Sequence, residues 1–147
     1  MNPGRFSYFL RIRYGECDAQ KVVFNSRYGE YVDLAAAELL RVLGFEHEIQ
    51  TAELDYQVVK QTTQWRAPAR FDQVLEISVS TKHLGTTSFT LTTEFRIAGE
   101  EALVATCETV YVHVDTHTLK KAPLPPRLRD ALERGAAGKQ IDHAGYL

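Results

Sequence analysis

The chain has 147 residues, with 17 basic and 19 acidic side chains and a formal net charge of −2. Hydrophobic residues make up 44% and charged residues 24%, a composition typical of one globular domain and not of a disordered or fibrous chain. The near-neutral charge lacks the basic field that attracts nucleic acid, and no apolar run reaches the ~20 residues of a membrane span. No apolar signal segment precedes Arg11, so we expect a cytoplasmic protein with reduced cysteines.

The first part of the sequence predicts a strand followed by one long helix. Residues 6–14 alternate between apolar and polar side chains, which indicates a strand with one buried face. Over residues 27–43 apolar side chains recur every three or four positions, which indicates a helix with a wide apolar stripe. Asn25 or Ser26 is placed to cap the start of this helix, and Gly44 is placed to end it.

The sequence after the helix predicts four more strands. Each stretch is rich in alternating apolar and β-branched residues and is bounded by Gly, Pro or Asp. Their order predicts successive antiparallel pairs, and the fold class is therefore α+β: a curved antiparallel sheet of about five strands around one long helix. The predicted strands lie within residues 54–66, 75–80, 88–97 and 102–115.

The C-terminal part of the sequence has a different character. Prolines at 123, 125 and 126 end the sheet region, and residues 128–134 predict a short helix. Residues 135–147 begin with Gly-Ala-Ala-Gly and are expected to form a loosely held tail. We therefore expect one domain over residues 1–134, followed by a C-terminal tail.

Residues 12–28 carry a recognisable pattern, IRYGECDAQKVVFNSRY. It resembles the signature of the 4-hydroxybenzoyl-CoA thioesterase family of hotdog-fold proteins. Residues 66–77 and 83–89 resemble two later turns of the same family, so the likeness covers roughly residues 6–115. The resemblance implies a hotdog fold, an acyl-CoA or related thioester substrate, no cofactor, and assembly into a homodimer or homotetramer.

The same resemblance implies roles for two positions at the start of the predicted helix. Asp18 matches the carboxylate that acts as nucleophile or general base, and Asn25 matches the position whose backbone N–H is the oxyanion donor. A helix N-terminus offers unpaired N–H groups and a partial positive charge, which suits a developing oxyanion. Loss of either group is expected to lower the rate by about 100-fold or more. A structural interpretation stays open, because a loop Asp often stabilises a turn and Asn25 or Ser26 could simply cap the helix.

Further residues are expected to contact the substrate. Some lie at the helix start, and two lie in the segment where relatives bind the coenzyme A phosphates. These candidate substrate-binding residues are Lys21, Phe24, Ser26, Tyr28, Lys82 and His83. For Phe24 and Tyr28, packing in the core or at an interface is the alternative interpretation.

The sequence departs from the family pattern at three places. Lys21 stands where the family has Gly, and would either forbid a positive backbone φ angle or supply a cation for an anionic acyl group; a solvated loop lysine is the third interpretation. Asn25 stands where some relatives carry His. Residues 84–87 are neutral where relatives carry basic residues for the coenzyme A phosphates, so Lys82 and His83 are the nearest candidates for that role. Charge could also come from elsewhere in the chain, from Lys60, Arg66 and Arg70.

Other chemistries have weaker support in the sequence. A hydratase or dehydratase would need a His shortly after Asp18, and residues 19–24 contain none. Cys17 has no neighbouring His to activate it as a nucleophile. His113, Asp115 and His117 share one strand face, but no further ligand accompanies them, so no metal site is predicted. A non-catalytic hotdog protein that binds an acyl ligand or a partner is the main alternative.

Overall fold

The computed structural model describes residues 5–147. Its framework is one six-stranded sheet with the strand order β2-β5-β4-β3-β1-β6. The elements in chain order are β1 (Phe6–Arg11), a short 3-10 turn (Tyr14–Glu16), α1 (Arg27–Val42), α2 (Glu46–Thr51), β2 (Tyr56–Trp65), β3 (Val74–Leu84), β4 (Ser88–Ile97), β5 (Leu103–His113), α3 (Pro126–Arg134) and β6 (Gln140–Asp142).

The pairing of the strands differs from the predicted one in two ways. β3, β4 and β5 pair consecutively and antiparallel as expected, but β2 pairs with β5 and not with β3. The connection after β2 does not turn back: Arg66 N–H donates to Val104 O at 2.8 Å, and Arg70 then forms an isolated bridge with Val22. The sheet also has six strands where about five were predicted, because the C-terminal tail adds β6.

The predicted helix over residues 27–43 is observed as α1. Its buried residues recur at helical spacing and pack against the inner face of the sheet. Gly44 ends the helix at φ +97° as predicted. The predicted side-chain cap is absent, since Ser26 stands at the cap position with helical backbone angles and makes no side-chain capping bond. The buried apolar residues of α1 are Tyr28, Tyr31, Val32, Ala35, Ala36, Leu39 and Leu40.

β1 is buried on both faces, whereas the alternating pattern predicted one buried face. The expectation of a loose tail was wrong, because β6 pairs parallel to β1 and the ring of Tyr146 stacks on Phe9 with centroids 5.3 Å apart. On the same face Ser7 Oγ donates to Glu76 Oε2 at 2.7 Å. Tyr14, the last residue of the strand predicted over residues 6–14, is 72% exposed because β1 already ends at Arg11.

The short C-terminal helix α3 completes the core. Leu128, Ala131 and Leu132 are buried beside α1 and β3, and Thr81 Oγ1 donates to Leu132 O at 2.8 Å. None of the helices in residues 5–147 has the length and apolar character needed to cross a membrane.

Candidate active site

Asp18 lies at the start of a tight turn between β1 and α1. The backbone closes this turn, with Lys21 N–H donating to Asp18 O and Asp18 N–H donating to Val22 O, both at 2.9 Å. The carboxylate Oδ1 accepts the N–H of Gln20 at 2.8 Å. Oδ2 has no hydrogen-bond partner within residues 5–147, and the side chain is exposed. The turn thus orients the carboxylate through one oxygen and leaves the other available to a substrate or a water.

Lys21 occupies the third position after Asp18 with a φ of +62°. The interpretation that a lysine forbids a positive φ here was therefore wrong, because the residue adopts the left-handed conformation that a glycine would favour. Its N–H and C=O are both used, the carbonyl accepting Phe71 N–H at 2.9 Å. The side chain is exposed and pairs with no group in residues 5–147.

The chain returns beside itself after this turn. Cys17 and Val23 face each other in an antiparallel bridge, and Phe24 N–H donates to Glu16 O at 3.0 Å. Val23 N–H donates to Ala69 O at 2.8 Å, which ties the returning arm to the connection between β2 and β3. The Asp18 turn is therefore the end of a short hairpin whose second arm leads directly into α1.

The N-terminus of α1 follows this hairpin without a gap. Arg27 N–H donates to Phe24 O at 2.9 Å, whereas the N–H groups of Asn25 and Ser26 have no acceptor within residues 5–147. Unpaired amides at a helix N-terminus carry partial positive charge. The hairpin and the first residues of α1 thus hold the unpaired Oδ2 of Asp18 and the unpaired N–H groups of Asn25 and Ser26 within one continuous stretch of chain.

The aromatic candidates at the helix start lie in different environments. Phe24 is 50% exposed, whereas Tyr28 is buried against Phe95 and Trp65, with centroids 5.2 and 6.3 Å away. Burial raises the pKa of Tyr28 to about 12, so its hydroxyl stays protonated at neutral pH. Trp65 is itself 52% exposed and forms the outer wall of this aromatic group.

Lys82 and His83 are not brought to this segment within one chain. They lie near the far end of β3, whose first residue, Val74, is the end next to the Asp18 turn. Eight residues of strand at ~3.3 Å each put Lys82 about 26 Å away from that end. Lys82 also pairs with Glu108, the Nζ and Oε2 atoms being 2.6 Å apart. Arg70, bridged to Val22, is one basic residue that the fold does place beside the turn.

The residues considered for metal binding are engaged in local structure. His113 Nδ1 lies 3.2 Å from Ala122 O, and Asp115 Oδ1 accepts the N–H groups of His117 and Thr118, both at 2.9 Å. Within residues 5–147, no three His, Cys, Asp or Glu side chains are grouped as a metal site.

The two cysteines are free thiols. Cys107 is buried in the core, and Cys17 is half-buried beside the turn. Burial, together with the neighbouring Glu16 and Asp18 carboxylates, raises the pKa of the Cys17 thiol, which disfavours the nucleophilic thiolate.

Glu16 is a buried residue for which the sequence alone indicates no role. Its Oε1 accepts Arg13 N–H at 2.8 Å and the Tyr31 hydroxyl at 2.9 Å, while its Oε2 accepts Arg13 Nε at 3.0 Å and Nη2 at 2.5 Å. Burial alone would raise the pKa of this carboxyl, but the hydrogen bonds from Arg13 and Tyr31 lower it below its usual value. The only indication of this ion pair in the sequence is the three-residue spacing between Arg13 and Glu16. That spacing predicts a contact only where the chain is helical, and the 3-10 turn at residues 14–16 was not predicted.

The family model of the Thioesterase-like superfamily matches residues 12–132 of the chain. The chain belongs to this superfamily. An acyl-CoA thioester hydrolase of Escherichia coli, YbgC, is 32% identical over 126 residues, which span 85% of this chain and 93% of that protein. A 1,4-dihydroxy-2-naphthoyl-CoA hydrolase of Synechococcus elongatus is 28% identical over 134 residues, 83% of this chain and 90% of the relative.

The structure of this protein also resembles solved structures of thioesterases. The structure of BH1999, a gentisyl-coenzyme A thioesterase, superposes with a TM-score of 0.76 at 27% identity, covering 86% of this chain and 98% of the other. The hotdog fold implied by the sequence resemblance is thereby confirmed.

Proposed function

We propose that this protein hydrolyses acyl-CoA thioesters to the free acid and coenzyme A, with Asp18 as general base or nucleophile. The observation that carries the proposal is the Asp18 carboxylate, whose free Oδ2 is held one short hairpin arm away from the unpaired amides at the start of α1. The names of the Escherichia coli and Synechococcus relatives support the same reaction class.

The chemistry needs two groups, and both have candidates in this segment. Asp18 either removes a proton from the water that attacks the thioester carbonyl carbon, or attacks that carbon with its own oxygen. In both routes the carbonyl oxygen gains negative charge, which the Asn25 N–H and the helix N-terminus would stabilise. The carbon–sulfur bond then breaks, and coenzyme A leaves as a thiolate that takes up a proton. In the general-base route the attacking water has already supplied the oxygen of the free acid. In the nucleophilic route the acyl group remains on Asp18 as a mixed anhydride, which a water hydrolyses to release the free acid and restore the carboxylate.

The substrate site is proposed to need a second copy of the chain. β2 is an edge strand of ten residues, and three large apolar side chains along it are exposed: Val58, Val59 and Trp65. An exposed apolar edge favours pairing with another strand. If two β2 strands from two copies of the chain pair antiparallel, the two sheets run in opposite directions. The end of the partner sheet that carries Lys82 and His83 would then lie toward the end of the first sheet that carries the Asp18 turn. Light scattering should then give a mass of at least twice 16.6 kDa.

The test is the rate of thiol release from a panel of short, long and aromatic acyl-CoA substrates. Asp18→Asn should lower kcat/KM on the best substrate by about 100-fold or more. Asp115→Asn is the matched control, because Asp115 is also an exposed carboxylate whose Oδ1 stabilises a turn through two backbone N–H groups. Equal activity of the two variants would refute the role of Asp18, and no hydrolysis of any substrate by the wild type would favour the non-catalytic binder.

A further inference from the structure

Glu16 is an acidic residue in the hairpin that the proposed reaction does not use. It is 6% exposed, and both carboxylate oxygens are occupied by donors at 2.5 to 3.0 Å. It therefore has no free oxygen with which to meet a substrate, in contrast to the exposed Asp18 two residues later.

The bonds of Glu16 connect the two halves of the candidate site. Its backbone carbonyl accepts Phe24 N–H at 3.0 Å, which closes the base of the hairpin that carries Asp18. Its side chain accepts the hydroxyl of Tyr31, which lies just over one turn into α1. Arg13, which lies between β1 and the 3-10 turn, supplies the remaining donors to the carboxylate through its backbone N–H and its guanidinium group.

A buried carboxylate is costly unless every oxygen is hydrogen-bonded and its charge is paired. Here one such group is fully satisfied, and its partners come from both sides of the hairpin. Each partner constrains a different element: Arg13 the chain before the turn, and Tyr31 the helix after it. A single rigid group thus fixes the orientation of the turn relative to the helix N-terminus.

We propose that Glu16 is a positioning residue that holds the Asp18 turn and the N-terminus of α1 in the geometry required for thioester cleavage. The inference rests on the proposed function, since it assumes that Asp18 and the helix amides act on the same substrate. Displacement of reacting groups by about 1 Å can cost on the order of 100-fold in rate. Because Glu16 is buried away from any substrate surface, the effect should fall on kcat and leave KM nearly unchanged.

The first test is Glu16→Gln, which keeps the size of the side chain but removes its charge and turns an NH2 group toward the Arg13 guanidinium. We expect kcat to fall by about tenfold or more and KM to change by less than about twofold. Tyr31→Phe removes a single hydroxyl and should lower kcat in the same direction by a smaller factor. It serves as the second variant should Glu16→Gln fail to fold.

Glu38→Gln is the matched control. Glu38 is also a buried glutamate with an arginine three residues away, the Arg41 Nε–Glu38 Oε2 distance being 3.0 Å, but it lies at the opposite end of α1. A loss of a buried Glu–Arg pair that only affects folding should appear equally in both glutamate variants. We expect kcat of Glu38→Gln per folded molecule to stay within about twofold of the wild type.

The decisive readout is a double-mutant cycle with Asp18→Asn. If Glu16 acts by orienting Asp18 and the helix amides for one step, Glu16→Gln should change the residual rate of Asp18→Asn by far less than it changes the wild-type rate. Equal effects in the two backgrounds would overturn the positioning role, as would a Glu16→Gln or Tyr31→Phe enzyme as active as Glu38→Gln. A fully active Asp18→Asn would instead refute the proposed function itself.

Discussion

Replacing Lys21 with glycine should make the protein more stable. A non-glycine residue in the left-handed region costs roughly 1–2 kcal/mol, and Lys21 has a φ of +62°. Relief of this strain is partly offset, by roughly 0.5–1 kcal/mol, because glycine loses more conformational entropy on folding than lysine does. Both backbone hydrogen bonds of Lys21 are independent of its side chain. The net expectation is a stabilisation of about 0.5–1 kcal/mol, or a rise in Tm of about 1–4 °C for a domain of this size.

Thermal unfolding followed by circular dichroism measures this change. Lys21→Ala is the control, because it removes the same charge and side chain but keeps the left-handed strain. A Tm of Lys21→Gly equal to or below that of Lys21→Ala would refute the reasoning. The same pair tests the charge: if Lys21 binds an anionic acyl group, both variants should lose activity on anionic acyl-CoA substrates alone.

Three further predictions concern packing and reactivity. Leu128→Ala should lower the free energy of unfolding in urea by about 2–5 kcal/mol, because Leu128 is fully buried in the core; a change below 1 kcal/mol would contradict it. Tyr146→Ala should lower Tm by uncovering the ring of Phe9 on which it stacks, and an unchanged Tm would mean that the tail does not protect β1. Iodoacetamide should alkylate Cys17 more slowly at pH 7 than a free-cysteine peptide, and faster as the pH rises past 9, since burial raises the pKa of this thiol; a rate at pH 7 equal to that of the peptide would be inconsistent with it.

The sequence predicted those parts of the fold that local periodicity determines. The helix over residues 27–43 is observed as Arg27–Val42, and the strands β3, β4 and β5 form where the alternating patterns predicted them. The first half of β3 is nevertheless buried on both faces, including Glu76 and Ser78. Side-chain spacing along one element specifies that element and its buried face. It does not specify which strand lies beside it, and so the β2–β5 pairing was missed.

The errors at β1 and at the turn have a common cause. The alternating pattern over residues 6–14 predicted one buried face, but Tyr146, more than 130 residues further along the chain, stacks on Phe9 and helps to bury the other face. The steric preference of lysine predicted that Lys21 would not adopt a positive φ, but backbone hydrogen bonds to Asp18 and Phe71 hold it in the left-handed region. In both cases a tertiary contact overrides the local preference.

Within the candidate site, the sequence pattern identified Asp18, the group proposed to react, but did not identify Glu16, the group proposed to position it. Asp18 stands out because it belongs to a recognisable motif next to a helix start. Glu16 belongs to the same stretch, but its importance depends on Tyr31 lying 2.9 Å away after the chain has folded. Such long-range hydrogen bonds leave no periodic trace in one sequence.

The proposed function depends above all on the Asp18 carboxylate, which we propose to drive thioester cleavage. Its most direct test is the single-turnover rate constant of Asp18→Asn with excess enzyme and the best acyl-CoA of the panel, compared with that of Asp115→Asn. We expect a rate constant about 100-fold or more below that of the control, at equal folded content. A rate constant of Asp18→Asn within about threefold of the control would contradict it.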